Sequence, residues 1–94
     1  MNIIEILAAE FKLKVSQVEQ TVALIDEGNT IPFIARYRKE VTGSLDDEVL
    51  RNLNDRLTYL RNLEERKAQV ISSIEEQGKL TDELKAQIEA AATL

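Results

Sequence analysis

The sequence contains no cysteine and no histidine. Without cysteine the chain can form no disulfide and has no thiol chemistry. Without histidine it lacks the commonest metal ligand and the side chain that normally titrates near neutral pH. Zinc sites built from these two residue types are therefore excluded, and the sequence predicts neither a metal site nor a cofactor.

Catalytic groups are also scarce. No histidine is present to activate any of the serines, and no glycine-rich phosphate loop occurs. The paired acids Glu64-Glu65 and Glu75-Glu76 are neighbours on predicted helices, so their side chains point in different directions and do not converge on a substrate. We therefore predict no catalytic residues and no enzyme activity.

Long apolar runs are absent as well. No segment approaches the roughly 18–20 apolar residues of a membrane span. The first residues carry no basic segment, and Glu5 interrupts their apolar run, so a signal peptide is not predicted. The expectation is a protein without a membrane partner, with the cytoplasm as its default compartment.

Helix breakers are few: the chain has one proline and three glycines. Apolar residues recur at helical spacing over residues 1–43, which predicts three short helices. After a connection over Lys12–Val15, the second helix is predicted to begin with an N-cap at Ser16, with Glu19 completing a capping box, and to end at Gly28-Asn29. The third helix is predicted to begin with an N-cap at Thr30, to have Pro32 in its first turn and to reach Val41. Thr42-Gly43 then breaks it.

A very long helix is predicted next, from an N-cap at Ser44 to Gly78. It would contain roughly 33 residues and measure about 50 Å, whereas a compact globule of this size is only about 32 Å across. We infer that the helix normally lies against more of its own chain or another protein. A coiled-coil dimer is disfavoured, because Glu64 and Lys67 interrupt the apolar seam.

Thr81 is predicted to cap a last short helix. The chain then ends at Ala92-Thr93-Leu94 without a helix stop signal, which we interpret as the edge of a piece of a longer protein. The predicted fold is thus all-α: short helices with a helix-turn-helix-like pair, one long central helix and a final short helix. We expect a single domain over residues 1–94, with sub-regions 1–43 and 44–94.

Charge is distributed unevenly along the chain. The net charge is −5, which argues against strong nucleic-acid binding by the whole domain. Residues 30–43, however, carry three bases and one acid, a net charge of +2. The bases are Arg36, Arg38 and Lys39, and they are the candidate nucleic-acid-binding residues.

Two interpretations of these bases stay open. They could contact phosphates, which would position a nucleic acid without reading its sequence. Alternatively, the arginines cover the edge of the core and pair with acids of the long helix, as long cationic side chains commonly do. On one continuous helix, Arg36 and Arg38 would flank an apolar arc on opposite sides and Lys39 would point away, so no single basic patch is expected.

Neither base readout nor base stacking is expected from this region. In a helix-turn-helix, the first residues of the second helix contact bases. Here those residues are Ile31–Ile34, which the apolar pattern predicts to be buried. The aromatics are scattered, and we expect core packing of all four: Phe11, Phe33, Tyr37 and Tyr59.

Several motifs resemble one known family. The longest is Thr30-Ile-Pro-Phe-Ile-Ala-Arg-Tyr-Arg-Lys-Glu40, followed by Thr42-Gly-Ser-Leu-Asp46. The further matches are Arg56-Leu-Thr-Tyr-Leu-Arg61, Leu63-Glu-Glu-Arg-Lys67 and Ser73-Ile-Glu-Glu-Gln-Gly-Lys-Leu-Thr81. Together they resemble the amino-terminal helical region of Tex-family transcription accessory proteins, which are bacterial and of the S1 RNA-binding type.

This resemblance implies a cytoplasmic, transcription-linked protein with further domains after this segment. These would be an RNase H-like domain, a helix-hairpin-helix region and a terminal RNA-binding domain of the oligonucleotide-binding fold. RNA or DNA would be bound mainly there, and the rest of the chain would pack on the long helix. No catalytic residue of the family is known to map onto this segment.

Two functions follow as expectations. The first is a non-catalytic helical scaffold module of a nucleic-acid-binding transcription accessory protein, with weak phosphate contacts from Arg36, Arg38 and Lys39. The alternative is a protein-interaction module that docks on RNA polymerase or another transcription factor.

Overall fold

The structure is a computed structural model that describes residues 1–93, so the predicted edge at Leu94 lies outside the described residues. The described chain forms six α-helices and no strand, which confirms the all-α prediction. The helices are α1 (Ile3–Phe11), α2 (Val15–Asp26), α3 (Ile31–Tyr37), α4 (Lys39–Thr42), α5 (Asp47–Glu76) and α6 (Asp82–Ala90). No helix within residues 1–93 is both long and apolar enough to cross a membrane.

The chain divides into two compact units whose boundary falls within α5. The N-terminal unit comprises residues 2–58, and the C-terminal unit comprises Met1 with the residues from Tyr59 onward. The single domain over residues 1–94, with its sub-regions 1–43 and 44–94, stays a prediction.

Several local signals act as predicted. The hydroxyl of Thr30 accepts a hydrogen bond from the backbone N–H of Phe33 at 3.3 Å, and Thr81 does the same for Leu84 at 3.1 Å. Each bond satisfies one of the N–H groups that a helix start leaves without a partner. Gly28 and Gly78 adopt left-handed backbone conformations just beyond the ends of α2 and α5.

The predicted cap at Ser16 is wrong. Helix α2 begins at Val15, so Ser16 lies inside its first turn and Lys14 is the capping residue. The oxygen of the Gln17 side chain accepts from the Lys14 backbone N–H at 3.2 Å. Gln17 thus takes the part that the sequence pattern assigned to Glu19, and its amide nitrogen also donates to the carbonyl of Thr42 at the end of α4.

The predicted cap at Ser44 is also wrong, since α5 begins three residues later. Ser44 has a φ of 66°, whereas an N-cap residue needs an extended backbone. Its N–H bonds to the carbonyl of Lys39 at 2.9 Å, which closes the end of α4. Asp46 caps α5 instead, with its carboxylate accepting from the Val49 N–H at 2.9 Å.

The predicted third helix is broken in two at Arg38. This residue has a φ of −127° and a ψ of 32°, so it ends α3 and starts α4. No glycine or proline marks the break. It accompanies the complete burial of Thr42, whose carbonyl accepts from Gln17 and whose hydroxyl accepts from the Leu45 N–H. Thr42 thus links α4 to α2 through Gln17 and to the start of the next segment through Leu45.

Apolar side chains from both sides of this break form one buried cluster in the core of the N-terminal unit. Ile34, Leu45 and Leu50 are buried together. Partly buried neighbours pack against them: Leu13, Leu24, Ile25, Ile31, Ala35 and Val49. Burial of each such side chain stabilises the fold by roughly 1.5–3 kcal/mol. The core holds α3 in place and leaves its last turn at the surface.

One ion pair joins α1 to α5 within the N-terminal unit. The guanidinium of Arg56 donates hydrogen bonds to both carboxylate oxygens of Glu10, with the shortest at 2.8 Å. These hydrogen bonds, with the positive charge beside the carboxylate, lower the pKa of Glu10 despite the opposing effect of its desolvation. The pair therefore favours the ionised acid in the folded state.

Candidate nucleic-acid interface

Helix α3 carries two aromatic rings that reach the surface. Phe33 and Tyr37 are four residues apart, a spacing that places side chains on one face of a helix. Their ring centroids lie 5.3 Å apart and their planes are inclined at 47°. Phe33 is partly buried, whereas Tyr37 is 53% exposed. The pair thus presents an aromatic surface to solvent.

Both predicted arginines lie over these rings. The guanidinium carbon of Arg36 is 5.3 Å from the centroid of the Tyr37 ring, and that of Arg38 is 5.0 Å from the centroid of Phe33. Both distances are within the range of an attractive cation–π contact. Phe33, Arg36, Tyr37 and Arg38 are called the basic–aromatic cluster below.

The helix breaks at Arg38, beside the aromatic pair. The sequence predicted that Arg36 and Arg38 flank an apolar arc of one continuous helix on opposite sides. The helix is broken at Arg38, and each arginine lies over a different ring of the aromatic pair. Arg38 leaves the helical conformation, and its guanidinium donates to the Tyr37 carbonyl at 3.0 Å. Both charges therefore share one aromatic pair.

Lys39 follows as the first residue of α4 and is exposed. Within residues 1–93, no carboxylate lies at ion-pair distance from Arg36, Arg38 or Lys39. Pairing of the arginines with acids of the long helix is thus not found there. Arg38 does cover the Phe33 ring, which agrees with the alternative that the arginines cover the edge of the core.

Core packing of all four aromatics is a wrong prediction. Tyr37 is 53% exposed and Tyr59 is 42% exposed, while Phe11 and Phe33 are partly buried. The first turn of α3 is also less buried than predicted: Ile34 is buried, but Pro32 is exposed. The four-residue spacing of Phe33 and Tyr37 was the signal in the sequence that could have indicated the pair.

A buried lysine in the C-terminal unit was not singled out by the sequence. Lys67 is only 5% exposed, and its Nζ donates to the backbone carbonyl of Glu89 at 2.9 Å. That carbonyl lies in the last turn of α6, where a positive charge is favoured by the helix dipole. Beside it is a cavity of about 170 Å³, lined by Met1, Glu64, Lys67, Ala68, Ile71 and Glu89. Lys67 thus serves to hold α6 against α5.

Comparison with known proteins identifies what the chain is similar to. Residues 1–75 match the family model described as the Tex-like protein N-terminal domain. The transcriptional accessory protein Tex of Neisseria gonorrhoeae is 62% identical over 91 residues, which is 97% of this chain and 12% of that protein. Protein YhgF of Escherichia coli K12 is 60% identical over 90% of this chain and 11% of its own length.

A more distant relative is human. The S1 RNA-binding domain-containing protein 1 of Homo sapiens is 30% identical over 86% of this chain and 8% of its own length. The chain therefore spans about an eighth or less of each of these three relatives.

Proposed function

The chain belongs to the Tex-like protein family, as its N-terminal domain, and we propose on that premise that it is a non-catalytic scaffold module of a transcription accessory protein. In this proposal the module contacts nucleic acid weakly through Arg36, Arg38 and Lys39, and acts in the bacterial cytoplasm. The name of the gonococcal relative supports the link to transcription, and that of the human relative supports the link to RNA.

The length of α5 supports the scaffold part of the proposal. This helix has 30 residues and is therefore about 45 Å long. Beyond Lys67, the apolar residues on it, Val70, Ile71 and Ile74, are only partly buried. The relatives are roughly eight times longer than the chain. Further parts of such a protein would complete the burial of these side chains.

The phosphate part of the proposal depends on one observation. Arg36, Arg38 and Lys39 lie within four successive residues and, among the described residues, none is neutralised by a carboxylate. Arginine held over an aromatic ring keeps its N–H groups at the ring's edge free to bind phosphate oxygens. Such contacts would be sequence-independent and sensitive to salt.

The test is a titration of labelled duplex DNA and single-stranded RNA with the wild-type chain and with the triple variant Arg36→Ala, Arg38→Ala, Lys39→Ala. Binding is measured at about 0.05 M and about 0.2 M salt. The matched control is Arg66→Ala, Lys79→Ala, Lys85→Ala, which removes three exposed cations from α5, α6 and their connection. Both triple variants change the net charge equally.

We expect the wild type to bind both nucleic acids weakly at low salt. The triple variant should lose binding, with a salt dependence reduced by about one unit for each phosphate contact removed. The control should bind almost as well as the wild type. Absence of binding at low salt by a folded chain would overturn the phosphate contacts. Capture of RNA polymerase that survives nuclease treatment would then favour the protein-docking alternative.

A further inference from the structure

We propose that the basic–aromatic cluster binds an unpaired nucleobase together with its flanking phosphates, so that it prefers single-stranded nucleic acid over a duplex. This inference rests on the phosphate contacts proposed above and adds what those contacts alone do not provide, a surface for stacking. The ring of Tyr37 would stack on the base, while Arg36 and Arg38 would contact the backbone.

Exposure of the ring is the first argument. Tyr37 is 53% exposed although Ile34, three residues earlier on the same helix, is completely buried. A ring in a folded core would be covered, whereas this ring is accessible from solvent. Bases stack on aromatic side chains and on guanidinium planes, and single-stranded binding proteins use both surfaces.

The chemistry of the neighbours is the second argument. Arg36 lies over the Tyr37 ring and Arg38 lies over Phe33, at 5.3 Å and 5.0 Å from the ring centroids. Two positive charges therefore flank an aromatic surface, which complements a planar base between two phosphates. A protein partner is a weaker match, since an apolar partner surface would have to desolvate both guanidinium groups.

Rigidity is the third argument. The Phe33 ring contacts that of Tyr37 at a 5.3 Å centroid separation, and the Arg38 guanidinium is tied to the Tyr37 carbonyl. The backbone beneath them is held by buried Ile34. Less side-chain freedom remains to be lost on binding than for an isolated exposed tyrosine. The geometry thus holds the Tyr37 ring in place, and a base would take the position of the Arg36 guanidinium over that ring while Arg36 turns to the backbone.

A duplex would not use this surface. Its bases are already stacked and paired, so only the phosphates are accessible to a side chain at the helix surface. Stacking therefore predicts a preference for single strands, which phosphate contacts alone do not predict. RNA and single-stranded DNA offer the same base and phosphate chemistry, and both serve as probes.

The experiment compares three oligomers of equal length: single-stranded oligoadenylate as RNA or DNA, the corresponding duplex, and an abasic strand that keeps the phosphates but lacks bases. Each is titrated with the wild-type chain at low salt. We expect the oligoadenylate to bind about 5-fold or more tightly than the abasic strand, the lower end of the range for stacking one base. The abasic strand and the duplex should bind through the arginines alone.

Variants separate stacking from charge. Tyr37→Leu should bring oligoadenylate binding down to that of the abasic strand without changing the salt dependence. Tyr37→Phe should retain the wild-type affinity, because it keeps the ring. Tyr59→Leu is the matched control, since it removes a second exposed tyrosine that lies outside the cluster. Helicity by circular dichroism confirms that each variant is folded.

Three results would overturn the stacking proposal, and they differ in their meaning for the phosphate contacts. Equal binding of oligoadenylate and the abasic strand, both lost in the triple arginine–lysine variant, would retain the phosphate contacts and reject stacking. Unchanged oligoadenylate binding by Tyr37→Leu would have the same meaning. Absence of binding to every oligomer would reject both proposals together.

Discussion

The side-chain amide of Gln17 donates a hydrogen bond to the backbone carbonyl of Thr42, over a distance of 2.8 Å. The oxygen of the same amide accepts from the N–H of Lys14 at the start of α2. One side chain therefore caps α2 and fastens it to the end of α4. Because α4 follows directly after the basic–aromatic cluster, the hydrogen bond between Gln17 and Thr42 anchors the backbone next to the candidate interface.

Replacement of Gln17 should destabilise the N-terminal unit. Gln17→Leu removes the cap of α2 and leaves the carbonyl of the buried Thr42 without its partner. A lost cap and an unsatisfied buried acceptor each cost about 1 kcal/mol or more, so we expect the free energy of unfolding to fall by about 1–3 kcal/mol. Urea unfolding followed by circular dichroism measures this change. Gln20→Leu, at an exposed position of the same helix, is the control, and an equal loss there would contradict the prediction.

Gly43 shows a second consequence of the same contact. Its φ is 76°, and a Cβ added there would collide with the Gln17 side chain. Gly78 has a similar φ of 69°, but no atom lies within 4 Å of an added Cβ. Gly78→Ala should therefore cost only the backbone strain of about 1–2 kcal/mol, and Gly43→Ala should cost measurably more.

A double-mutant cycle isolates the collision. In the Gln17→Ala background the obstructing amide is absent, so Gly43→Ala should cost no more than Gly78→Ala. Thermal or urea unfolding of the four chains in the cycle gives the coupling energy between residues 17 and 43. Additive effects would show that Gly43 is required for its backbone conformation alone.

The ion pair between Glu10 and Arg56 predicts a pH dependence of stability. The pKa of Glu10 is lowered in the folded state, whereas in the unfolded chain it is about 4.3. The pair's contribution is therefore fully present above about pH 4.3 and is lost as the pH falls through the lower folded value. Both side chains are more than a third exposed, so the contribution should not exceed about 1 kcal/mol.

Glu10→Gln removes this contribution. At neutral pH it should lower the free energy of unfolding by up to about 1 kcal/mol, and the difference from the wild type should vanish in strong acid. Glu19→Gln, an exposed acid on α2, controls for the loss of one negative charge. A Glu10→Gln chain that remained less stable than the wild type below the folded pKa would point to lost packing rather than lost charge.

Much of the fold was predictable because its signals are local. The hydroxyls of Thr30 and Thr81 cap the next helix from three residues away, and left-handed glycines at positions 28 and 78 end α2 and α5. These interactions involve neighbours in the chain, and their residue types are strongly preferred at such positions. The N-cap predictions at Ser16 and Ser44 are wrong even though both signals are local. Each serine is a good cap locally, but Gln17, which also contacts distant Thr42, caps α2, and the closing bond of Ser44 to Lys39 leaves Asp46 to cap α5.

The candidate interface was predictable only in part. Composition and charge identified Arg36, Arg38 and Lys39 as the one basic segment of an acidic chain. Their relation to Phe33 and Tyr37 was not predictable, because an apolar arc on a helix does not reveal which of its members face the core. Arg38 lies over the aromatic pair at the break between α3 and α4, and no glycine or proline in the sequence indicates this break.

The sequence by itself determined the helical class, most of the helix boundaries, the lack of cysteine and histidine chemistry and the location of the basic segment. It could do so because these properties depend on residue type and on neighbours within a few positions. Tertiary structure alone decided the break at Arg38, the exposure of Tyr37 and the burial of Lys67. These features depend on how elements far apart in the chain pack together, as Gln17 does with Thr42 and Lys67 with Glu89, and neighbouring residue types do not reveal such packing.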